Sequence, residues 1–146
     1  MNQELAFDED HLARFVEAQS ADYARALDEM RSGRKRTHWM WYVFPQLAAL
    51  GRSDMARRYG IANADEARAY MQHPVLGARL NEVSRAVLAV DGRSALEIMG
   101  SPDDVKLRSC ATLFAEVSGD PVFRQLLDKY FDGRPDATTL RLLAAG

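Results

Sequence analysis

Apolar residues recur at helical spacing along most of this chain. In the first such stretch Leu12, Phe15, Val16 and Gln19 fall on one stripe, continued by Tyr23, Ala26, Leu27 and Met30, and Gly33 closes it. Ser20 followed by Asp22 is a plausible second cap, so the stretch reads as one helix or as two with a bend. Thr37 reads as the cap of a short element, His38 to Val43. It is apolar on every face, so periodicity does not decide its type, and Pro45 ends it by disfavouring helical geometry at Phe44. Ser53 caps a short helix that Gly60 closes. Asn63-Ala64-Asp65-Glu66 resembles a capping box, and its helix stops before Pro74.

Leu76, Leu80, Val83 and Val87 mark the next helix, with Gly92 as its stop. Ser94-Ala95-Leu96-Glu97 is a second capping box, ended by Gly100. Ser101-Pro102-Asp103-Asp104 combines a serine cap, proline at the first helical position and two carboxylates in the positive first turn. The helix it predicts points Leu107, Cys110, Ala111, Phe114 and Val117 inward. Asp120-Pro121 starts another, with Phe123, Leu126, Leu127 and Tyr130 inward and Gly133 closing, and Asp136 caps a last helix through Leu143. Asp91-Gly92 and Asp132-Gly133 are hairpin signals, but both follow helical periodicity and neither is flanked by alternation, so they read as helix ends. The pattern predicts an all-α fold: one domain over residues 1–146, of seven to nine mostly short helices, with 1–8 expected as a flexible N-terminal segment.

Composition agrees with one core. A chain of 146 residues with 47% apolar residues typically buries ~70% of its unfolded-state surface and needs no metal or disulfide staple. The only cysteine, Cys110, cannot close an intramolecular disulfide, which excludes a disulfide-framed secreted protein. The opening MNQELAFDEDHLARF has no basic n-region and no long apolar run, so no signal peptide is expected. No stretch approaches the ~20 apolar residues of a membrane span. The expected location is the cytoplasm, with no membrane partner.

Charge adds a local contrast. Between Arg31 and Arg58 there are seven basic residues against the single acidic Asp54, so that segment carries +6 and the remaining 12 basic and 20 acidic residues carry −8. Trp39, Trp41, Tyr42 and Phe44 lie in the same segment. Arg34, Lys35, Arg36 and His38 are therefore the candidate anion binders, because arginine grips phosphates through two parallel hydrogen bonds and histidine titrates near neutral pH. Trp39 or Trp41 would stack on a base or sugar. A plainer reading has a solvated basic loop beside aromatics that fill the core. Gln19, on the apolar stripe of its helix, must find polar partners, either a loop backbone or a ligand. Asp104, Arg108 and Thr112 share a face at i, i+4 spacing, which suits an ion pair or a polar pocket wall. Phosphate-loop motifs are absent, and His11, His38 and His73 lie far apart in sequence, so neither a metal nor another cofactor is expected. Cys110 reads as an inert core residue.

RFVEAQ (Arg14 to Gln19), SGRKRTHWMWYVFPQL (Ser32 to Leu47), LGRSDMARRYGI (Leu50 to Ile61), EARAYMQHPVLGARL (Glu66 to Leu80) and GSPDDVKLRSCATLF (Gly100 to Phe114) resemble a bacterial domain-of-unknown-function family, often labelled "calpastatin" in genomes. The resemblance runs from about Leu12 to Leu142 and implies a multihelical domain with no established activity. Cys110-Ala111 departs from it, since serine then methionine would be expected there. The label does not suit a periodic, repeat-free chain, because the animal inhibitor is a disordered repeat protein. FVEAQ and HPVLGARL are also similar to segments of N-glycosidases acting on ADP-ribose-type and riboflavin-pathway substrates. Ala13 stands where that family has a glutamate, which leaves Glu17 as the carboxylate such chemistry requires. Three functions follow as expectations: a domain binding a small anionic, nucleotide-like metabolite; a non-enzymatic domain docking a protein or RNA; and an N-glycosidase. Net acidity outside the basic segment argues against extensive nucleic-acid binding.

Overall fold

The structure, a computed structural model, describes residues 9–146, so the expectation for 1–8 lies outside the described residues. A 3-10 turn, Glu9–Leu12, leads into α1 (Ala13–Arg31), a single uninterrupted helix. Ser20 does not restart it: its hydroxyl donates to the Glu17 carbonyl one turn back at 2.6 Å, as serine does in mid-helix. Then follow α2 (Met40–Val43), a 3-10 turn at Ala48–Leu50, α3 (Asp54–Arg58), α4 (Ala64–Gln72), α5 (Leu76–Leu88), α6 (Ala95–Met99), α7 (Asp103–Val117), α8 (Val122–Phe131) and α9 (Ala137–Ala145). Among the described residues there is no strand, only an isolated bridge between Leu47 and Ile61. The all-α expectation holds, and both Asp-Gly pairs lie just past helix ends, with Gly92 and Gly133 at positive φ.

Side-chain caps start four of the nine α-helices among the described residues. Ser53 accepts from the Ala56 N–H, Asn63 from Glu66, Ser94 from Glu97 and Asp136 from Thr139. At Ser94 the reciprocal bond from Glu97 completes the box. Two expected caps differ. Thr37 does not cap α2, which starts at Met40 after Trp39 with no side-chain cap; the threonine hydroxyl donates instead to Glu29 Oε2 at 2.7 Å. Ser101 does not cap α7 either. The Asp104 N–H bonds the Gly100 carbonyl and the Val105 and Lys106 N–H groups bond the Pro102 carbonyl, so backbone turns take the donors a serine cap would have served.

The core is organised around α5 and α7: α7 packs on α4, α6, α8 and α9, and α5 packs on α1, α4 and α8. A chain of rings crosses it from Phe15 to Tyr70 (5.1 Å between centroids, edge on), Tyr70 to Phe114 (5.5 Å) and Phe114 to Phe123 (5.6 Å). Leu76, Leu80, Val83 and Val87 of α5 are all buried against it, as their spacing predicts. The turn from α4 into α5 depends on Gly77, where a Cβ would sit 2.0 Å from the Met71 carbonyl oxygen. No helix among the described residues is long and apolar enough to cross a membrane.

Candidate functional site

The basic-aromatic segment divides into an inside and an outside, and Glu29 makes the division. This residue sits in the last turns of α1 on the stripe that buries Ala26 and Met30, and it is 6% exposed. Its Oε1 accepts from the Arg36 N–H (2.8 Å), the Thr37 N–H (3.1 Å) and the Trp39 indole N–H (2.9 Å). Oε2 accepts from the Thr37 hydroxyl. Burial on its own raises this carboxyl's pKa. The donors from Arg36, Thr37 and Trp39 outweigh it and hold the group at about 2. The anion therefore stays charged inside the protein and organises residues 36–39 around itself.

Trp39 is fully buried, packed 6.0 Å from Phe44. It offers no face to a ligand, so its expected stacking role is corrected: a buried indole needs a polar partner for its N–H, and Glu29 supplies it. Lys35 is also withdrawn from binding. Its side chain is 7% exposed, its ammonium lies 2.9 Å from Asp103 Oδ2 and 2.7 Å from the Thr37 carbonyl, and its backbone N–H bonds the Ile98 carbonyl. Arg34, Arg36 and His38 point outward and are exposed, and Trp41 is half-buried with the Lys106 ammonium 5.7 Å from its ring.

The other candidates scatter. Gln19 is 1% exposed and spends its amide internally, donating to the Tyr42 carbonyl at 2.7 Å and the Tyr70 hydroxyl at 3.0 Å. Asp104 and Arg108 do not pair. Arg108 reaches across to the carbonyls of Arg134 (2.8 Å) and Pro135 (3.1 Å), so its donors are taken by the loop before α9. Thr112 accepts from the Asp136 N–H at 2.8 Å, fastening the same loop. Glu17 is exposed on α1. Cys110 is buried, and burial pushes its thiol far above the usual range.

Two open clefts lie where the chain leaves α1. The larger, about 740 Å³, runs between the C-terminal ends of α1 and α5 and is lined by Arg31, Asn81, Glu82, Arg85, Val90 and Arg93, among others. The second, about 460 Å³, is lined by Arg34, Arg93, Leu96, Glu97, Ile98 and Met99, with Lys35 and Gly100. Arg93 belongs to both. It is brought there by Gly33, whose φ of +82° turns the chain out of α1 and whose missing side chain leaves the Arg93 stem 3.6 Å from where a Cβ would be.

Most of the carboxylates at these clefts are already engaged. Lys129 hydrogen-bonds Asp91 at 2.8 Å and holds it below the usual carboxylate range; the Ser94 N–H does the same for Glu97. Glu82 accepts from the Tyr23 hydroxyl at 2.5 Å and stands 3.9 Å from Arg31. Among the described residues Arg34, Arg85 and Arg93 pair with no carboxylate, and Arg85 donates only to Asn81. Helix-end carbonyls do not occupy them. Lys129 and Tyr130 cover the carbonyls of Val87, Leu88 and Val90, and backbone N–H groups cover those of Asp28, Glu29 and Met30.

A family model described as a protein of unknown function, DUF1810, matches residues 9–143. The chain belongs to this family. A crystal structure of the conserved hypothetical protein Rv1873 from Mycobacterium tuberculosis is 51% identical, with a TM-score of 0.92 over 94% of this chain and 99% of that one. No curated protein matches.

Three cleft arginines of this DUF1810 domain, Arg31, Arg85 and Arg93, are not among the binding residues that the sequence singles out. Arg31 was at least part of the basic run. Arg85 and Arg93 lie more than 50 residues along the chain, and only the packing of α5 on α1 brings them to the α1 exit. No local sequence signal announces that meeting.

Proposed function

We propose that this DUF1810 domain binds an anionic ligand in the arginine-lined clefts at the exit of α1. The observation that carries the reading is that Arg34, Arg85 and Arg93 converge on two adjoining clefts with no carboxylate partner among the described residues. Guanidinium groups recognise carboxylates and phosphates through paired hydrogen bonds, and a convergent set with unfilled donors is suited to that chemistry. Arg34 is carried over from the expected site; Lys35 and Trp39 are replaced by Arg85 and Arg93. No aromatic residue lines either cleft, so the support is for the anionic part of the ligand rather than for a stacked base. Glu17 lines neither cleft, and the N-glycosidase reading gains nothing from this geometry. A cytoplasmic location is part of the proposal, in keeping with a single reduced and buried Cys110.

The test is thermal unfolding at low ionic strength with inorganic phosphate, pyrophosphate, citrate and ATP. At a hundredfold excess over Kd a ligand stabilises by about 2.7 kcal/mol, which raises Tm by roughly 5–10 °C in a domain of this size. Arg93→Ala and Arg34→Ala should each lower that rise while leaving the ligand-free Tm within about 2 °C. Absence of a rise with every anion refutes the reading.

A further inference from the structure

We infer that the natural occupant of the two clefts is an acidic peptide segment carrying an aliphatic residue, contributed by a partner protein. The inference rests on the anion-binding reading above and specifies its ligand.

Shape is the first argument. The clefts adjoin at Arg93 and together exceed the usual size of a small-ligand pocket, yet both are open to solvent. Small ligands are held by concave sites that bury most of their surface. Two open, adjoining clefts instead suit a segment whose backbone lies along them and whose side chains enter at intervals. Charge is the second. Arg31 and Arg85 face the first cleft, Arg93 the junction and Arg34 the second, so cationic groups are spread along the path, while the lining carboxylates Glu82, Asp91 and Glu97 are engaged by Tyr23, Lys129 and the Ser94 N–H. That spacing complements successive carboxylates better than a single phosphate.

The apolar surface is the third argument. Leu96 is 54% exposed, one of only two large hydrophobic side chains so exposed among the described residues, and it stands in the second cleft, whose Ile98 and Met99 are buried in the core. A half-exposed leucine that shares its cleft with Arg34 and Arg93 offers an aliphatic seat that a phosphate or a nucleotide would leave empty. α6 holds that seat firmly: its start is locked by the Ser94–Glu97 box and its last turn by the bond from the Lys35 N–H to the Ile98 carbonyl. The surface is thus arranged before anything binds, which lowers the ordering cost of association.

The experiment uses fluorescein-labelled ten-residue peptide pools and fluorescence polarisation on the full chain. One pool is drawn from Asp, Glu, Leu and Ile, a second from Asp, Glu, Ser and Gly, and a third from Lys, Arg, Leu and Ile. The first should bind, the second roughly fivefold more weakly for want of the aliphatic contact, and the third not at all. Arg93→Glu and Arg34→Glu should each weaken the first pool by at least about tenfold, and added salt should weaken it further. Leu96→Ser should bring the first pool down to the second. Unchanged urea midpoints show that these surface variants still fold. Anion-induced stabilisation without binding of the acidic-aliphatic pool overturns this inference and leaves the anion-binding reading standing. Equal binding of the first two pools, or indifference to Leu96→Ser, also overturns it. Failure of both assays removes the two together.

Discussion

Replacing Glu29 tests whether one buried carboxylate holds the basic-aromatic segment in place. Glu29→Gln keeps the shape: the amide oxygen can replace Oε1 and continue to accept from Arg36, Thr37 and Trp39, and the Thr37 hydroxyl can turn to accept from the new amide. What is lost is the charge that strengthens those bonds, and the expected destabilisation at pH 7 is about 2–3 kcal/mol. Glu29→Ala loses the acceptor too and strands the N–H of an indole that has no exposed surface, for roughly 4 kcal/mol, or a Tm lower by about 12 °C.

The pH dependence supplies the sharper check. The folded-state value of about 2 lies below the ordinary glutamate value of 4.5, so the ionised group favours the folded state. Its contribution is complete above pH 4.5 and is lost as pH falls toward 2. The separation corresponds to roughly 3 kcal/mol, of which about 2 kcal/mol is gone by pH 3. Urea unfolding followed by tryptophan fluorescence should therefore show the gap between the wild type and Glu29→Gln narrowing between pH 6 and pH 3. A gap that stays constant across that range refutes the role given to the charge, and a loss below about 1 kcal/mol in Glu29→Ala refutes the role given to the residue.

Three further outcomes follow from the packing. Gly77→Ala places a Cβ 2.0 Å from the Met71 carbonyl oxygen, a backbone atom that cannot step aside; the loss should exceed about 3 kcal/mol and is read from the urea midpoint or from failure to express soluble protein. Gly33→Ala combines a φ of +82° with a contact of 3.3 Å to Val90, so it should cost about 1–2 kcal/mol and displace Arg93, detected as a smaller anion-induced Tm rise than a matched Gly92→Ala control, whose Cβ would meet nothing. Cys110 is buried and its thiol is pushed up by burial; it should resist a disulfide-exchange reagent in the native protein at pH 8 and react promptly in urea, whereas prompt native reaction would contradict its place in the core.

Local signals carried most of the architecture. Ser53, Asn63, Ser94 and Asp136 cap their helices because a cap needs only a short polar side chain and a free N–H two or three residues on, all of it visible in a few letters. Thr37 and Ser101 carry the same local signal and do not cap, because a stronger acceptor, Glu29, claims the threonine, and backbone carbonyls of Gly100 and Pro102 reach the first turn of α7. Glu29 itself was within reach of the helical pattern. It shares the stripe of Phe15, Ala26 and Met30, where a carboxylate must find donors or lose its charge. The fate of the aromatics was less accessible, since Trp39 and Trp41 lie two residues apart in a four-residue helix and its start, too short for periodicity to separate the buried one from the half-buried one.

The division of that segment explains how a single stretch serves both the core and the surface. Glu29 draws Thr37 and Trp39 inward, and Lys35 is fixed between Asp103 and the Thr37 carbonyl with its own N–H on Ile98. Arg34 and Arg36 flank a lysine that cannot move, so they are turned outward by the same bonds that bury their neighbours. Arg34 thereby lines the second cleft together with Arg93, which Gly33 has already admitted to the α1 exit. Positive charge that the sequence concentrates in one run is in this way combined with arginines from α5 and from the loop before α6. The resulting surface belongs to no single segment, and its basicity comes from the placement of four guanidinium groups in a chain whose net charge is −2.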